Sequence, residues 1–356
     1  MKKLKFPEKI IPLGAVSFIV LICVFSAQCT KSASDALDMC LYTLLPSLFP
    51  FFVFSRIFIL SGGANLLAKR LSFITKPLFN LNGGGVVPII LGILCGYPVG
   101  AKSAAELYGD GALTKDEAQR LCGFCNNSGP LFLIGAVGGG MLSCPSAGVL
   151  LYAVHILSAL SVGIIFRGGK TTFKNTSKSA SKSASKSEIL SENIFVIAVE
   201  DSAAAMINVF GYVIFFAVVT SFFKNPFLIG IFEITNALKK ISLSDFPLYQ
   251  KFIFAAFLSS WGGFSVHMQT YGILSKYSLS FKKYLFSKLI HSIFALVYAV
   301  IAIKTVPLPF KTFSYAFEKT AVSLNIASLV CIIILGIYLF YLNIILLDKH
   351  RKGRKI

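Results

Sequence analysis

The sequence predicts an all-α polytopic membrane protein built as two inverted repeats with interrupted, re-entrant helical hairpins. Three observations lead there. Hydrophobic residues fill 55% of the 356 positions and charged residues only 14%, against about 25% charged in soluble domains. Nearly uncharged runs recur at Ile10–Ala27, Leu41–Leu60, Leu131–Met141, Val149–Phe166, Ile207–Phe223, Leu285–Ile303 and Ala327–Leu347. Several are close to the ~20 residues that cross a bilayer as a helix. Finally, two stretches of similar order flank one low-complexity segment, and both carry glycines in mid-run, the mark of repeat-related broken helices in transporters.

The formal charge of +19 is gathered at Lys2, Lys3, Lys5 and Lys9, between Arg167 and Lys186, and from Lys349 to Lys355. Basic clusters flanking apolar runs belong to cytoplasmic segments and touch anionic lipid, so nucleic acid is not the expected partner. Eight cysteines follow no metal-binding spacing. Cys122-Gly-Phe-Cys125 lacks a second pair, and neither metal nor cofactor is expected. The first apolar run ends in "FSAQC", where Gln28 fits a small-residue cleavage site poorly, so it reads as an uncleaved helix.

Five segments follow: an N-terminal membrane helix (1–30), a first repeat (31–169), a Ser/Lys-rich linker (170–191), a second repeat (192–304), and a C-terminal helix with a basic tail (305–356). The linker holds too few apolar residues to offset its ordering entropy. "LCGYPVGAK" and "LSSWGGFSVH" each set an aromatic residue and glycines inside an apolar run, which makes them the two matching interruptions. "LTKDEAQRL" opens with Thr114 and Glu117 in capping-box spacing. If Val86–Tyr108 dips and returns, four crossings place the N-terminus and the linker together in the cytoplasm. A second dip at Phe252–Ile273 leaves three crossings and puts the basic tail outside. Either that dip spans, or Phe227–Leu238 does, or the charge rule fails there.

Four stretches carry chemistry. In "GYPVGAK", Gly96, Pro98 and Gly100 reverse the chain around Tyr97. The helix beginning near Ala101 then offers free N–H groups, and Lys102 a full charge, to a carboxylate or phosphate. In "CNNSGP", Asn126, Asn127 and Ser128 supply donors and acceptors where Gly129-Pro130 opens the helix. Glu233 and Asn236, three apart, share a helix face. Ser260, Trp261 and His267 surround the second interruption, with Trp261 a stacking platform for an aromatic solute. Glu200-Asp201 mark a helix entry. Ser128 has no G-x-S-x-G elbow, and no nucleophile–base pair or metal cluster appears, so a carrier is expected rather than an enzyme.

"LLPSLFPFFVFS", "GYPVGAK", "GALTKDEAQRL" and "CNNSGPLFLIGAVG" together resemble the sporulation integral membrane protein family (YlbJ type) of endospore-forming bacteria, which carries the Gate, or nucleoside-recognition, domain. The resemblance runs roughly from Leu44 to Ile303 and is most specific between Gly92 and Gly138. It implies an organisation similar to concentrative nucleoside transporters, with hairpin tips meeting at the substrate. It also implies a place in the outer forespore membrane and transport of dipicolinic acid, a planar dianion. The alternatives are a nucleoside or nucleobase carrier, or a non-transporting scaffold for spore envelope assembly. The partners expected are therefore a small solute and lipid; a coupling cation and a homo-oligomer are left open.

Overall fold

Apolar side chains point outward and polar ones inward, the reverse of a water-soluble fold. Leu13, Phe54, Phe195, Ile207, Phe215 and Ile301 are exposed, whereas Asn126, His155, Ser260, His267, Lys288 and His291 are buried. Lipid is the solvent that makes such an arrangement favourable. The computed structural model describes residues 10–63, 73, 75–81, 83–168 and 193–306, and all regular structure among them is helical. The Lys-rich first residues, the 170–191 linker and the C-terminal helix with its basic tail lie outside the described residues.

Helix α1 (Ile10–Val24) leads into α2 (Ser26–Met39), with a 94° bend between Pro12–Val24 and Ser26–Leu44. A wide turn at Cys40–Leu44 joins α2 to α3 (Leu45–Leu60). Then come α4 (Val86–Leu94) and α5 (Val99–Gly109), α6 (Lys115–Cys125) and the π-wound α7 (Leu131–Met141), and α8 (Pro145–Ile165). The second half repeats this order. Its elements are α9 (Ile194–Thr220), the pair α10 (Pro226–Phe232) and α11 (Ile234–Ser242), the pair α12 (Leu248–Trp261) and α13 (Gly263–Lys276), and α14 (Phe281–Thr305). Among the described residues α8, α9 and α14 are each long and apolar enough to cross a membrane alone. The expected capping box is present: Thr114 Oγ1 accepts the Glu117 N–H at 3.2 Å, and Glu117 Oε2 accepts the Thr114 N–H at 2.9 Å.

Packing shows which pairs return and which traverse. The arms of α4/α5 lie against each other, as do those of α10/α11, whereas the arms of α6/α7 and of α12/α13 barely touch. At one end of the protein the Tyr277 ring covers Gly109. There the Gln119 side chain brackets the Ser280 backbone, and Arg120 donates to the carbonyls of Phe79 and Arg167. At the other end Met141, Leu142, Ile241, Leu248 and Ile303 form part of one cluster, and Lys251 Nζ donates to the Ser242 carbonyl at 2.7 Å. So α6/α7 runs from the first end to the second, and α12/α13 runs back. The α4/α5 hairpin starts and finishes at the first end, and α10/α11 at the second. Each half makes three traverses, an odd number, and the halves are therefore inverted. They meet with α3 on α9 and α8 on α14.

One sequence expectation changes. The second dip is Pro226–Ser242, not Phe252–Ile273, and "SSWGG" matches "CNNSGP" rather than "GYPVG". Glycines and an aromatic residue mark any broken helix; whether the arms fold back or diverge is decided by what they pack against. Residues 248–276 form two arms of 14 residues each, together about 40 Å at 1.5 Å per residue, enough to cross. An impermeant maleimide should label Ser143→Cys and Asp245→Cys in intact cells, and Asp110→Cys and Ser278→Cys only after permeabilisation. Labelling of Asp245→Cys and Ser278→Cys from the same side would return residues 248–276 to a hairpin.

Candidate functional site

Each hairpin tip rests on the break of the traversing pair in its own half. At the first tip Gly96 has φ +75°, and a Cβ there would stand 2.6 Å from the Gly129 nitrogen. Cβ atoms at Gly92 and Gly100 would strike the Cys125 carbonyl oxygen. Tyr152 on α8 ties the arm down through a 2.8 Å hydrogen bond to the Ile93 carbonyl. At the second tip Gly263, φ +73°, lets the chain pass Phe232 O at the 3.0 Å a Cβ would see, and Trp261 Nε1 donates to the Ile231 carbonyl at 3.1 Å. The tips and breaks of both halves then converge on one small cavity of about 40 Å³, with Gly96, Tyr97, Gly129, Glu233, Thr235 and Gln269 among its lining.

Behind the cavity lies a polar network that crosses between halves. Asn126 Nδ2 donates to Thr270 Oγ1 at 3.0 Å and to the Tyr284 hydroxyl at 2.9 Å. The Ser128 N–H donates to His155 Nε2 at 2.9 Å, and Ser128 Oγ donates to the Ser259 carbonyl at 3.2 Å. His155 Nδ1 meets Ser260 Oγ at 2.9 Å. Lys288 Nζ donates to the Asn126 carbonyl at 2.9 Å and meets His291 Nδ1 at 2.8 Å, while His291 Nε2 meets the His155 carbonyl at 3.0 Å. These bonds satisfy backbone groups that the two breaks set free at membrane depth. Among the described residues, three buried polar atoms have no partner: Asn126 Oδ1, Asn127 Oδ1 and His267 Nε2.

The sequence-chosen residues divide among several places. Gly96 and Tyr97 line the cavity, as does Glu233. Pro98, joined to Tyr97 by a cis peptide bond, lines a separate groove of about 270 Å³ with Lys102, Arg56, Glu106, Asp110 and Asp201. Lys102 there faces Glu106 at 3.9 Å with half its side chain exposed, and Arg56 pairs with Asp201 at 2.6 Å. Gly100 is packed under Cys125 rather than presented to a solute, and α5 begins at Val99, two residues before its expected start. Glu233 is not a helix-face partner of Asn236: it is the extended N-cap of α11, its oxygens accepting Thr235 N–H at 2.9 Å and Asn236 N–H at 2.6 Å. Asn236 instead borders a cavity of about 220 Å³ with Asp35, Lys239 and Lys240. Trp261 turns its edge to His267 and Phe264, centroids 4.4 and 6.2 Å away. His267 itself is buried against the Tyr284 hydroxyl at 3.2 Å. Asn126, Ser128 and Ser260 are in the network, and Asn127 Nδ2 caps the Phe124 carbonyl at 2.9 Å.

Sequence reasoning passed over His155, Lys288 and His291. Their signal was present: each is an ionisable residue inside an apolar run, rare within membranes and retained for a role. The runs Val149–Phe166 and Leu285–Ile303 stay long and apolar enough to span a bilayer despite these side chains, so run length alone hides them.

Two inverted sets of broken helices with an apolar exterior define a polytopic integral membrane protein, and the nucleoside-recognition (Gate) family matches residues 41–161. Sporulation integral membrane protein YlbJ of Bacillus subtilis (strain 168) is 30% identical over 312 residues, covering 76% of each chain. No solved structure matches. The chain belongs to the sporulation integral membrane protein family of which YlbJ is a member.

The tip-on-break contact is directly testable. Gly100→Ala drives a methyl into the Cys125 carbonyl and should destabilise by about 1–3 kcal/mol, read as a lower melting temperature in detergent. Gly211→Ala, with nothing within 4 Å of its Cβ, should be neutral or stabilising by up to about 1 kcal/mol. Equal melting of the two variants would mean that α5 does not sit on Cys125.

Proposed function

We propose that the protein is a secondary carrier of a small anionic solute, dipicolinate during endospore formation. The supporting observation is the convergence of both hairpin tips and both breaks on one small cavity that Tyr97 and Glu233 both line. That is the arrangement in which one repeat rocking against the other exposes a fixed site to either side in turn. A cavity of about 40 Å³ has room for two or three waters, whereas a ring-bearing solute needs about 300 Å³ or more. The tips therefore part to admit it. Phe52 lines both this cavity and the groove in which half-exposed Lys102 stands among Glu106, Asp110, Asp201 and Arg56, so Lys102 offers an entering anion one local cation, and Lys288 stands behind the first break.

A second reading, a nucleoside carrier, is favoured by the cavity lining itself. Tyr97, Thr235, Ser265 and Gln269 are neutral, and among the described lining residues there is no lysine or arginine. The two readings part in liposomes reconstituted with the purified protein and offered labelled dipicolinate and labelled nucleoside side by side. Dipicolinate should accumulate above lipid-only controls. Lys102→Ala should slow its entry by about tenfold at low salt and less at high salt, because steering by exposed charge is screened. Nucleoside accumulation insensitive to Lys102→Ala would establish the second reading, and accumulation of neither by folded protein would sink both.

A further inference from the structure

We propose that Lys288, His291 and His155 form a proton-binding site that couples opening of the tip cavity to proton uptake, an inference that rests on the carrier reading for its transport role. The two histidines are repeat-related: each lies ten residues past the first residue of its helix, His155 on α8 and His291 on α14. Their rings lie 4.7 Å apart, centroid to centroid, tilted by 48°. Among the described residues no carboxylate lies within ion-pair distance of Lys288, and all three side chains are buried.

The hydrogen bonds fix where protons sit. A backbone N–H only donates, so His155 Nε2, which receives the Ser128 N–H, carries no proton, and Nδ1–H donates to Ser260 Oγ. A backbone carbonyl only accepts, so His291 Nε2 carries its proton toward His155 O and Nδ1 faces Lys288 Nζ. One shared proton rests on either Lys288 or His291 without loss of that contact. A second proton on the pair, or any proton added to His155, sets N–H against N–H and breaks the arrangement. The closed structure thus admits a single positive charge in the cluster.

The other titratable groups facing the cluster are Cys122 and Cys125 from α6, His267 from α13 and Tyr284 from α14 itself, and α12 contributes only Ser259 and Ser260. None of these is a carboxylate that would take up an added charge at neutral pH. Proton entry at His155 therefore releases Ser128, and the next residue, Gly129, lines the tip cavity. A dianion that enters as the cluster gains a proton also carries less net charge through a low-dielectric passage.

The test is hydrogen exchange of the full chain in nanodiscs, from pH 8 to pH 5, with rates corrected for the pH dependence of the unfolded peptide. Protection of the 126–132 backbone should fall at least tenfold in the native protein. In His155→Gln/His291→Gln, where each amide can keep the donor and acceptor but cannot titrate, protection should stay flat. In liposomes, dipicolinate entry should carry protons, read by an internal pH dye. Protection independent of pH in the native protein, or an unchanged pH response in the double variant, overturns the proposal. So does native dipicolinate counterflow without proton movement, which leaves the carrier reading intact. If the double variant fails to fold, the native exchange and dye measurements still decide. Absence of solute flux with a pH response that the variant abolishes upholds the proton site and defeats the carrier reading alone.

Discussion

A helix broken at membrane depth leaves N–H and C=O groups with no water to satisfy them, and the whole structure answers that constraint. Each break takes at least one of its partners from the other half of the chain. The Ser128 N–H goes to His155 on α8, while the opposite nitrogen of the same ring holds Ser260 beside the second break. The Asn126 carbonyl goes to Lys288 on α14. One imidazole thus clasps both interruptions at once. The Asn126 carbonyl and the Ser260 hydroxyl each find their partner in the opposite half, and the halves pack as inverted partners, α8 on α14 and α3 on α9.

The same constraint separates the two kinds of interrupted helix. The hairpins α4/α5 and α10/α11 bury their arms against each other and need only a short tip. Their glycines bring backbone against backbone at Cys125 and Phe232. The pairs α6/α7 and α12/α13 have arms that diverge, so their exposed groups must find side chains elsewhere. Here the sequence supplies Asn126, Ser128, Ser259 and Ser260, and facing helices supply His155, Tyr284 and Lys288. Polar residues at the breaks are thus first structural ligands of the backbone. Any solute must compete with, or exploit, bonds already made.

That view accounts for the small cavity. Tyr97, Glu233 and Gln269 surround a space fit for water, and Glu233 has both oxygens committed to the first turn of α11. Those carboxylate–amide bonds fix the start of α11, each worth about 1 kcal/mol net or more where a charge is involved.

Composition and run length alone determined that this chain lives in lipid and is helical, because the outward surface must be apolar over bilayer thickness whatever the fold within. The capping box at Thr114 and Glu117 and the first hairpin at "GYPVG" were equally legible, since local backbone chemistry dictates both. The repeat was visible as an order of elements, and the sites Asn126, Ser128 and Ser260 as polar residues in apolar surroundings. What the chain did not reveal was pairing. "SSWGG" and "FEITN" both interrupt apolar helices, and only the contacts of Leu248 with one end and Tyr277 with the other decided which one traverses. Lys102 is a charge near a turn in sequence, yet the helix rotation at Val99 carries it into a groove. His155 lies 136 residues before His291 in the chain, and it joins the Lys288–His291 turn only where α8 crosses α14. Long-range packing of inverted halves sets these relations, and no local propensity encodes them.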